Sequence, residues 1–161
     1  DHKSSRGLGD VYKRQLILAR DALGIKPLVR CEVDGSLLFA SEIKAFHAHE
    51  SYQPRLDKLS LGLRLSWEYN LDSSTLIDGV HQVRPGTVEV WRLDDNLRPY
   101  LHNVSSFERQ AIKPELVWNP ENNAKSLLES FTVSVQERLM ADVPVGIVLS
   151  GGLDSLSLIH I

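Results

Sequence analysis

The sequence predicts two pieces of different fold class: an α+β, hairpin-rich piece over residues 16–102, and the opening of an α/β parallel-sheet domain over 120–155. Three observations carry this expectation. Residues 28–33 alternate with period two up to Asp34-Gly35, a hairpin turn signal, and 36–40 return. Asn119-Pro120-Glu121 opens a long stretch of helical period. Residues 145–149 (VGIVL) form a continuous apolar run that ends directly on a serine and two glycines.

The elements follow in order. Residues 16–19 (LILA) make a short apolar strand, which Arg20-Asp21-Ala22-Leu23-Gly24 breaks into a turn, with Gly24 free to take positive φ. From 28 to 33, Val29, Cys31 and Val33 share one face, and Arg30 and Glu32 the other. Asp34-Gly35 is a strong two-residue turn signal, and 36–40 is the return strand. Ser41 is placed to cap a helix over 41–49, with Ile43, Ala45 and Phe46 on its apolar side. Leu56, Leu59, Leu63 and Trp67 recur at helical spacing. Residues 70–74 are a polar break, and Arg84-Pro85-Gly86 is a turn. Residues 87–93 alternate as a strand, Asp94-Asp95-Asn96 turns it, and 99–102 is a further strand.

Residues 103–119 lack periodicity, hold Pro114 in their middle, and read as the linker between the two pieces. Beyond them stand a capping Asn, a Pro at the first helical position and an acid in the first turn. Leu128, Phe131, Val135 and Leu139 continue the helix until Asp142 and Pro144 end it. The run 145–149 then reads as a strand of a parallel sheet covered on both faces. Residues 1–15 (DHKSSRGLGDVYKRQ) show no periodicity that places them on an element. With 156–161 (LSLIHI) they read as non-native linker scars, which makes the chain an internal fragment of a longer protein.

Composition excludes several classes. The 161 residues hold 18 Lys plus Arg against 21 Asp plus Glu, a net charge of -3, so no basic footprint points to nucleic acid. A hydrophobic fraction of 42% is that of an ordinary globular protein. A single cysteine, Cys31, leaves no disulfide framework or cysteine zinc site, and fits a reducing, cytoplasmic compartment. No apolar run approaches the ~18 residues of a membrane helix, so no membrane partner is expected.

The chemistry sits at Ser150-Gly151-Gly152-Leu153-Asp154-Ser155. Two glycines let the backbone turn tightly and bring amides close to an anion. Ser150 and Ser155 add hydroxyl donors, and a helix starting near Leu153 points its positive end at the same place. The negative charge of Asp154 suits it to hold Mg²⁺ borne by a phosphate, or to fix the loop by accepting amide hydrogen bonds. The lysine-bearing GxxxxGK[ST] phosphate loop is absent from the chain.

The loop resembles the pyrophosphate loop of ATP pyrophosphatases, which activate a carboxylate or carbonyl as an adenylate. Upstream residues narrow the resemblance. Residues 18–28 (LARDALGIKPL) resemble the RDxLGIKPL segment of class II glutamine amidotransferases, and 38–45 (LFASEIKA) their FASEIKA segment. Gly79-Val80 and Val83-Arg84-Pro85-Gly86 resemble the segment that closes the glutaminase domain, and 142–155 resemble DVPVGVLLSGGLDS. Val29-Arg30 stands where that family commonly has an aromatic pair, and Trp67-Glu68-Tyr69-Asn70 replaces its GYVP-like segment.

In order and spacing these segments resemble the glutamine-hydrolysing asparagine synthetase family. The resemblance implies an α+β, Ntn-type glutamine amidotransferase domain, of which 16–102 is the C-terminal part. The start of an α/β ATP-pyrophosphatase domain, adenine nucleotide alpha-hydrolase-like, follows at 120–155. It implies a carbon–nitrogen ligase that makes asparagine from aspartate with glutamine-derived ammonia, through β-aspartyl-AMP, releasing AMP and pyrophosphate. Glutamine, aspartate and ATP are the implied small-molecule partners, with ATP and Mg as cofactors, and a homodimer of the full-length protein is allowed. Leu149, Ser150, Gly151, Gly152, Leu153, Asp154 and Ser155 are the implied ATP and pyrophosphate contacts. Arg20, Asp21, Gly24, Pro27, Ser41 and Glu42 are implied structural motif residues. The nucleophile and the carboxylate pocket lie outside the fragment, which is therefore expected to be inactive alone.

Two alternatives stay open: amidation of another carboxylate, such as a cell-surface sugar acid, and β-lactam-type ring closure. For Cys31, core packing outweighs a reactive thiol. Arg20-Asp21 is expected to be a buried structural pair. Glu42 and Lys44 are expected on a solvated face, and Trp67 and Trp91 are expected to pack.

Overall fold

A computed structural model of the chain describes residues 6–10, 14–70, 72–107 and 119–161. It divides into two units, Asp1–Arg109 and Gln110–Ile161.

The first unit holds two antiparallel sheets. One is ordered β1-β2-β6-β7, from Arg6–Asp10 (β1), Gln15–Ala19 (β2), Thr87–Leu93 (β6) and Pro99–Ser106 (β7). The other is ordered β4-β3-β5, from Val29–Val33 (β3), Ser36–Ala40 (β4) and Val80–Gln82 (β5). The hairpin signal holds: Asp34 and Gly35 take φ of 48° and 73°, and Val33 faces Ser36 across the turn. Positive φ at both loop residues lets the turn follow the twist of its strands.

The alternation of β3 serves two cores. Val29 and Cys31 pack with Phe46, Tyr52 and Val80 on one side of the sheet. Arg30 points the other way, toward β6, whose inward residues Thr87, Glu89 and Trp91 are buried. Leu18, Leu28, Val83 and Trp91 form that second core, with Leu37 against it. The unit is α+β, as expected.

Several expectations are corrected. Residues 6–10 lie on a strand paired residue for residue with β2, although their sequence has no clear period. β7 runs to Ser106, past the expected strand end at 102. The expected helix over 41–49 is a 3-10 helix, Ile43–Ala48, whose N-cap is Glu42 with no side-chain cap bond; Ser41 does not cap it. The helix Lys58–Trp67 (α1) forms, but Leu59 and Trp67 stand 74% and 58% exposed, so the expected packing of Trp67 does not occur. Buried Ser60 and the Asp57 cap anchor it instead: Asp57 accepts from the amides of Leu59 and Ser60 at 2.9 and 3.2 Å.

In the second unit, Asn119 caps helix Pro120–Gln136 (α2), its side chain accepting from the Asn122 amide at 3.1 Å. The helix stops before Leu139, short of the expected Asp142. Residues 145–149 pair with no strand among the described residues, and Val148 is 92% exposed. A strand needs a neighbour to take its N–H and C=O groups, and the described residues of this unit form helices and no strand. The helix Leu153–His160 (α3) follows, and takes in most of the stretch expected to be a scar.

Candidate functional site

The loop 150–155 is built around one left-handed residue. Gly151 has φ +80°, and a Cβ there meets nothing within 4 Å, so conformation and not crowding demands glycine. Gly152 then caps α3 in extended conformation without a side-chain cap bond. The helix ladder begins with the Leu156 amide donating to the Gly152 carbonyl at 3.1 Å. The amides of Leu153, Asp154 and Ser155 precede that bond and have no intrahelical acceptor. They lie on the N-terminal turn, where the helix dipole favours an anion.

The two serines hold this shape. Ser150 Oγ lies 3.0 Å from Ser155 Oγ and accepts from the Gly152 amide at 3.3 Å. Ser155 Oγ donates to the Gly152 carbonyl at 3.0 Å. The hydroxyls expected to face a phosphate thus fasten the loop to itself. Asp154 does not fix the loop: among the described residues its carboxylate makes no hydrogen bond or ion pair. Ser155 is half-buried, while Leu149 to its N-terminal side is 50% exposed and Leu153 81%.

No cluster of three or more metal-ligating side chains exists among the described residues. One unengaged carboxylate on the first turn of α3 does suit Mg²⁺, which typically takes one or two carboxylates and fills its sphere with phosphate oxygens and water.

The motif residues of the first unit form a rigid corner, and the expected Arg20–Asp21 pair does not exist. Buried Arg20 instead donates to four acceptors: the carbonyls of Lys26 (3.0 Å), Gly24 (2.9 Å) and Val83 (2.8 Å), and Gln82 Oε1 (3.1 Å). The Asp21 carboxylate accepts from the amides of Leu23, Ile25 and Lys26 at 3.2, 2.9 and 3.0 Å. The Lys26 and Ile25 amide bonds, ahead of those from Leu23 and Gly24, hold its pKa below the ordinary carboxylate value. Gly24, at φ +66°, lies under Pro85, and Pro27 is exposed on the same turn. Ser41 is exposed, and Glu42 forms an exposed ion pair with Lys44 at 2.7 Å.

Sequence reasoning missed one cluster. Glu89, 5% exposed, accepts from Arg30 Nε at 2.7 Å and from the Trp91 indole N–H at 3.0 Å. The Arg30 guanidinium carbon lies 4.9 Å from the Trp91 ring centroid. The cluster joins the two sheets. A charged residue on the inward face of an otherwise alternating strand was the signal available for Glu89 and for Arg30. Trp91 packs as expected, whereas Trp67 does not.

Comparison with known families now decides the kinship. The model of the glutamine amidotransferase domain matches residues 7–101, and that of asparagine synthase matches 126–161. The chain belongs to the glutamine amidotransferase family. Among similar proteins, amidase chyE of Penicillium rubens is 36% identical over 162 residues, covering 93% of this chain and 21% of the relative. Asparagine synthetase B (glutamine-hydrolysing) of Escherichia coli is 32% identical over 149 residues, covering 92% and 21%. Asparagine synthetase (glutamine-hydrolysing) 3 of Bacillus subtilis is 31% identical over 148 residues, covering 91% and 23%. The chain spans about a fifth of the length of the curated relatives it matches. The corner of Arg20, Asp21 and Gly24 falls in the stretch matched by the glutamine amidotransferase domain. The loop 150–155 falls in the stretch matched by asparagine synthase.

Proposed function

We propose that this chain is part of a glutamine-dependent asparagine synthetase acting in the cytoplasm, and that 150–155 grips the pyrophosphate end of ATP. The observation that carries the reading is the left-handed Gly151, which turns the chain into the first turn of α3 just where amides lack acceptors. In the proposed reaction the β-carboxylate of aspartate attacks the α-phosphorus of ATP, giving β-aspartyl-AMP and pyrophosphate. Ammonia released from glutamine then displaces AMP. The amides of Leu153, Asp154 and Ser155 orient the leaving pyrophosphate and take up its growing charge. Leu149 lies beside the adenosine. Asp154 would hold Mg²⁺, and the ion would supply neutralisation of the charge on the triphosphate.

The test is the ATP dependence of adenylate formation in the full-length protein. Gly151→Val places a β-branched side chain where phosphate must approach and resists φ +80°. Losing two or three charge-assisted hydrogen bonds weakens ATP use by at least about a hundredfold. Ser155→Ala, which removes one hydroxyl, is milder. Asp154→Ala abolishes asparagine formation and leaves glutaminase activity intact. Wild-type ATP use by a folded Gly151→Val protein sinks the reading.

A second reading has its own support in the amidase relatives, such as chyE at 36% identity. In it the same loop activates a carboxylate other than that of aspartate. Pyrophosphate exchange stimulated by aspartate supports the first reading; exchange indifferent to aspartate supports the second.

A further inference from the structure

We infer that Ser150 and Ser155 make the loop selective for a pyrophosphate end over a single phosphate, because their hydroxyls and the Gly152 amide are tied into a ring that a ligand must open. The inference rests on the reading of 150–155 as a pyrophosphate grip, and adds what governs entry to it.

The ring follows from the proton count. The Ser155 hydroxyl has one proton, and it goes to the Gly152 carbonyl at 3.0 Å. The 3.0 Å contact between the two Oγ atoms is then donated by Ser150. Ser150 Oγ in turn accepts from the Gly152 amide at 3.3 Å. The circuit runs from the Gly152 N–H to Ser150, from Ser150 to Ser155, and back to the Gly152 carbonyl, which also takes the Leu156 amide. Both hydroxyl protons and one amide proton are thus spent inside the loop.

The loop therefore carries two sets of donors. The amides of Leu153, Asp154 and Ser155 stand open on the first turn of α3. The Gly152 amide and the two hydroxyls are closed. Turning Ser150 toward a ligand breaks two of the three ring bonds, since its Oγ donates in one and accepts in the other. Charge-assisted bonds to phosphate oxygens are stronger than the neutral bonds they replace, so a ligand that reaches both sets repays the opening. A pyrophosphate end does so: one phosphate group occupies the open amides while the other meets Gly152 and Ser150. Orthophosphate fills the open set and has no second group to offer the ring. The ring thus keeps single phosphates from holding the site.

The test measures the affinity of the full-length protein for pyrophosphate and for orthophosphate by calorimetry, both at one fixed Mg²⁺ concentration. In Ser150→Ala the Gly152 amide is released next to the open set, so orthophosphate binds about tenfold tighter. Pyrophosphate loses the Ser150 donor but no longer has to open the ring, so the preference for pyrophosphate falls by a similar factor. Ser150→Thr keeps the hydroxyl, remakes the ring and retains the wild-type preference. A serine that only holds the shape of the loop would weaken both ligands together in Ser150→Ala. A serine that is only a phosphate donor would weaken pyrophosphate and leave orthophosphate as it was. Either result overturns the inference. Failure of the folded wild-type protein to bind pyrophosphate removes the underlying reading, and is distinct because it appears before any variant is compared.

Discussion

Gly24 is held between two neighbours. A Cβ on it would lie 2.7 Å from Pro85 Cγ and 3.2 Å from Arg20 Cζ, and φ is +66°. Gly24→Ala therefore combines left-handed strain with overpacking and costs about 2–4 kcal/mol, read as a drop in urea midpoint. An unchanged midpoint shows that the corner yields. Arg30→Ala strands the buried Glu89 carboxylate and costs about 3–5 kcal/mol. Glu89→Gln keeps an acceptor for the Trp91 indole and is milder, and equal losses from the two would refute the charge argument. The corner was partly legible in the sequence because Gly24 and its flanking turn residues are local. The Arg30–Glu89 pair was not, because its members lie 59 residues apart and nothing in either neighbourhood names the other.

At the scale of elements, α1 is a helix legible in the sequence whose anchors were not. The spacing of its leucines located it, yet what ties it down is polar: the Asp57 cap and buried Ser60, whose hydroxyl donates to Asp57 at 2.9 Å. Asp57 is held below the ordinary carboxylate value by the Ser60 amide, then by the Ser60 hydroxyl and the Leu59 amide. Asp21 is lowered likewise by its turn amides. A carboxylate whose folded pKa is depressed stabilises the fold above its unfolded value and loses that contribution as pH falls through the folded one. Thermal stability thus declines on acidification below about pH 4. Asp57→Asn keeps a capping group without the charge and flattens that acid limb. An unaltered acid limb in this variant removes Asp57 from the explanation. The run 145–149 was misread for a different reason. Composition makes a segment able to join a sheet, but only a neighbouring strand makes it one.

For the whole molecule, the division at Arg109 and Gln110 has a direct test. Each buried cluster, Val29 with Cys31 and Phe46, or Leu18 with Trp91, is complete within the first unit. A chain ending at Arg109 is expected to keep the amide spectrum of both sheets and a cooperative melt. Collapse of that spectrum shows that the second unit supports the first. Helices and hairpins were read from periods of a few residues, so each unit was recognisable alone. Sheet order was not, since β2 finds β6 across more than 60 residues of chain through contacts that leave no local pattern.

β3 is a wall with two tenants. Its odd-numbered residues, Val29 and Cys31, furnish one core, and its even-numbered Arg30 closes the ion pair in the other. Its parity is therefore fixed more tightly than its composition. Exchanging Val29 for Ile changes one room slightly. Sliding the strand by one position would lodge a guanidinium among Phe46, Tyr52 and Val80 and leave Glu89 facing a thiol or a valine. The Asp34-Gly35 turn holds that parity: an inserted residue there shifts Ser36 against Val33 and would have to be taken up as a bulge in β4, since β3 has no spare face.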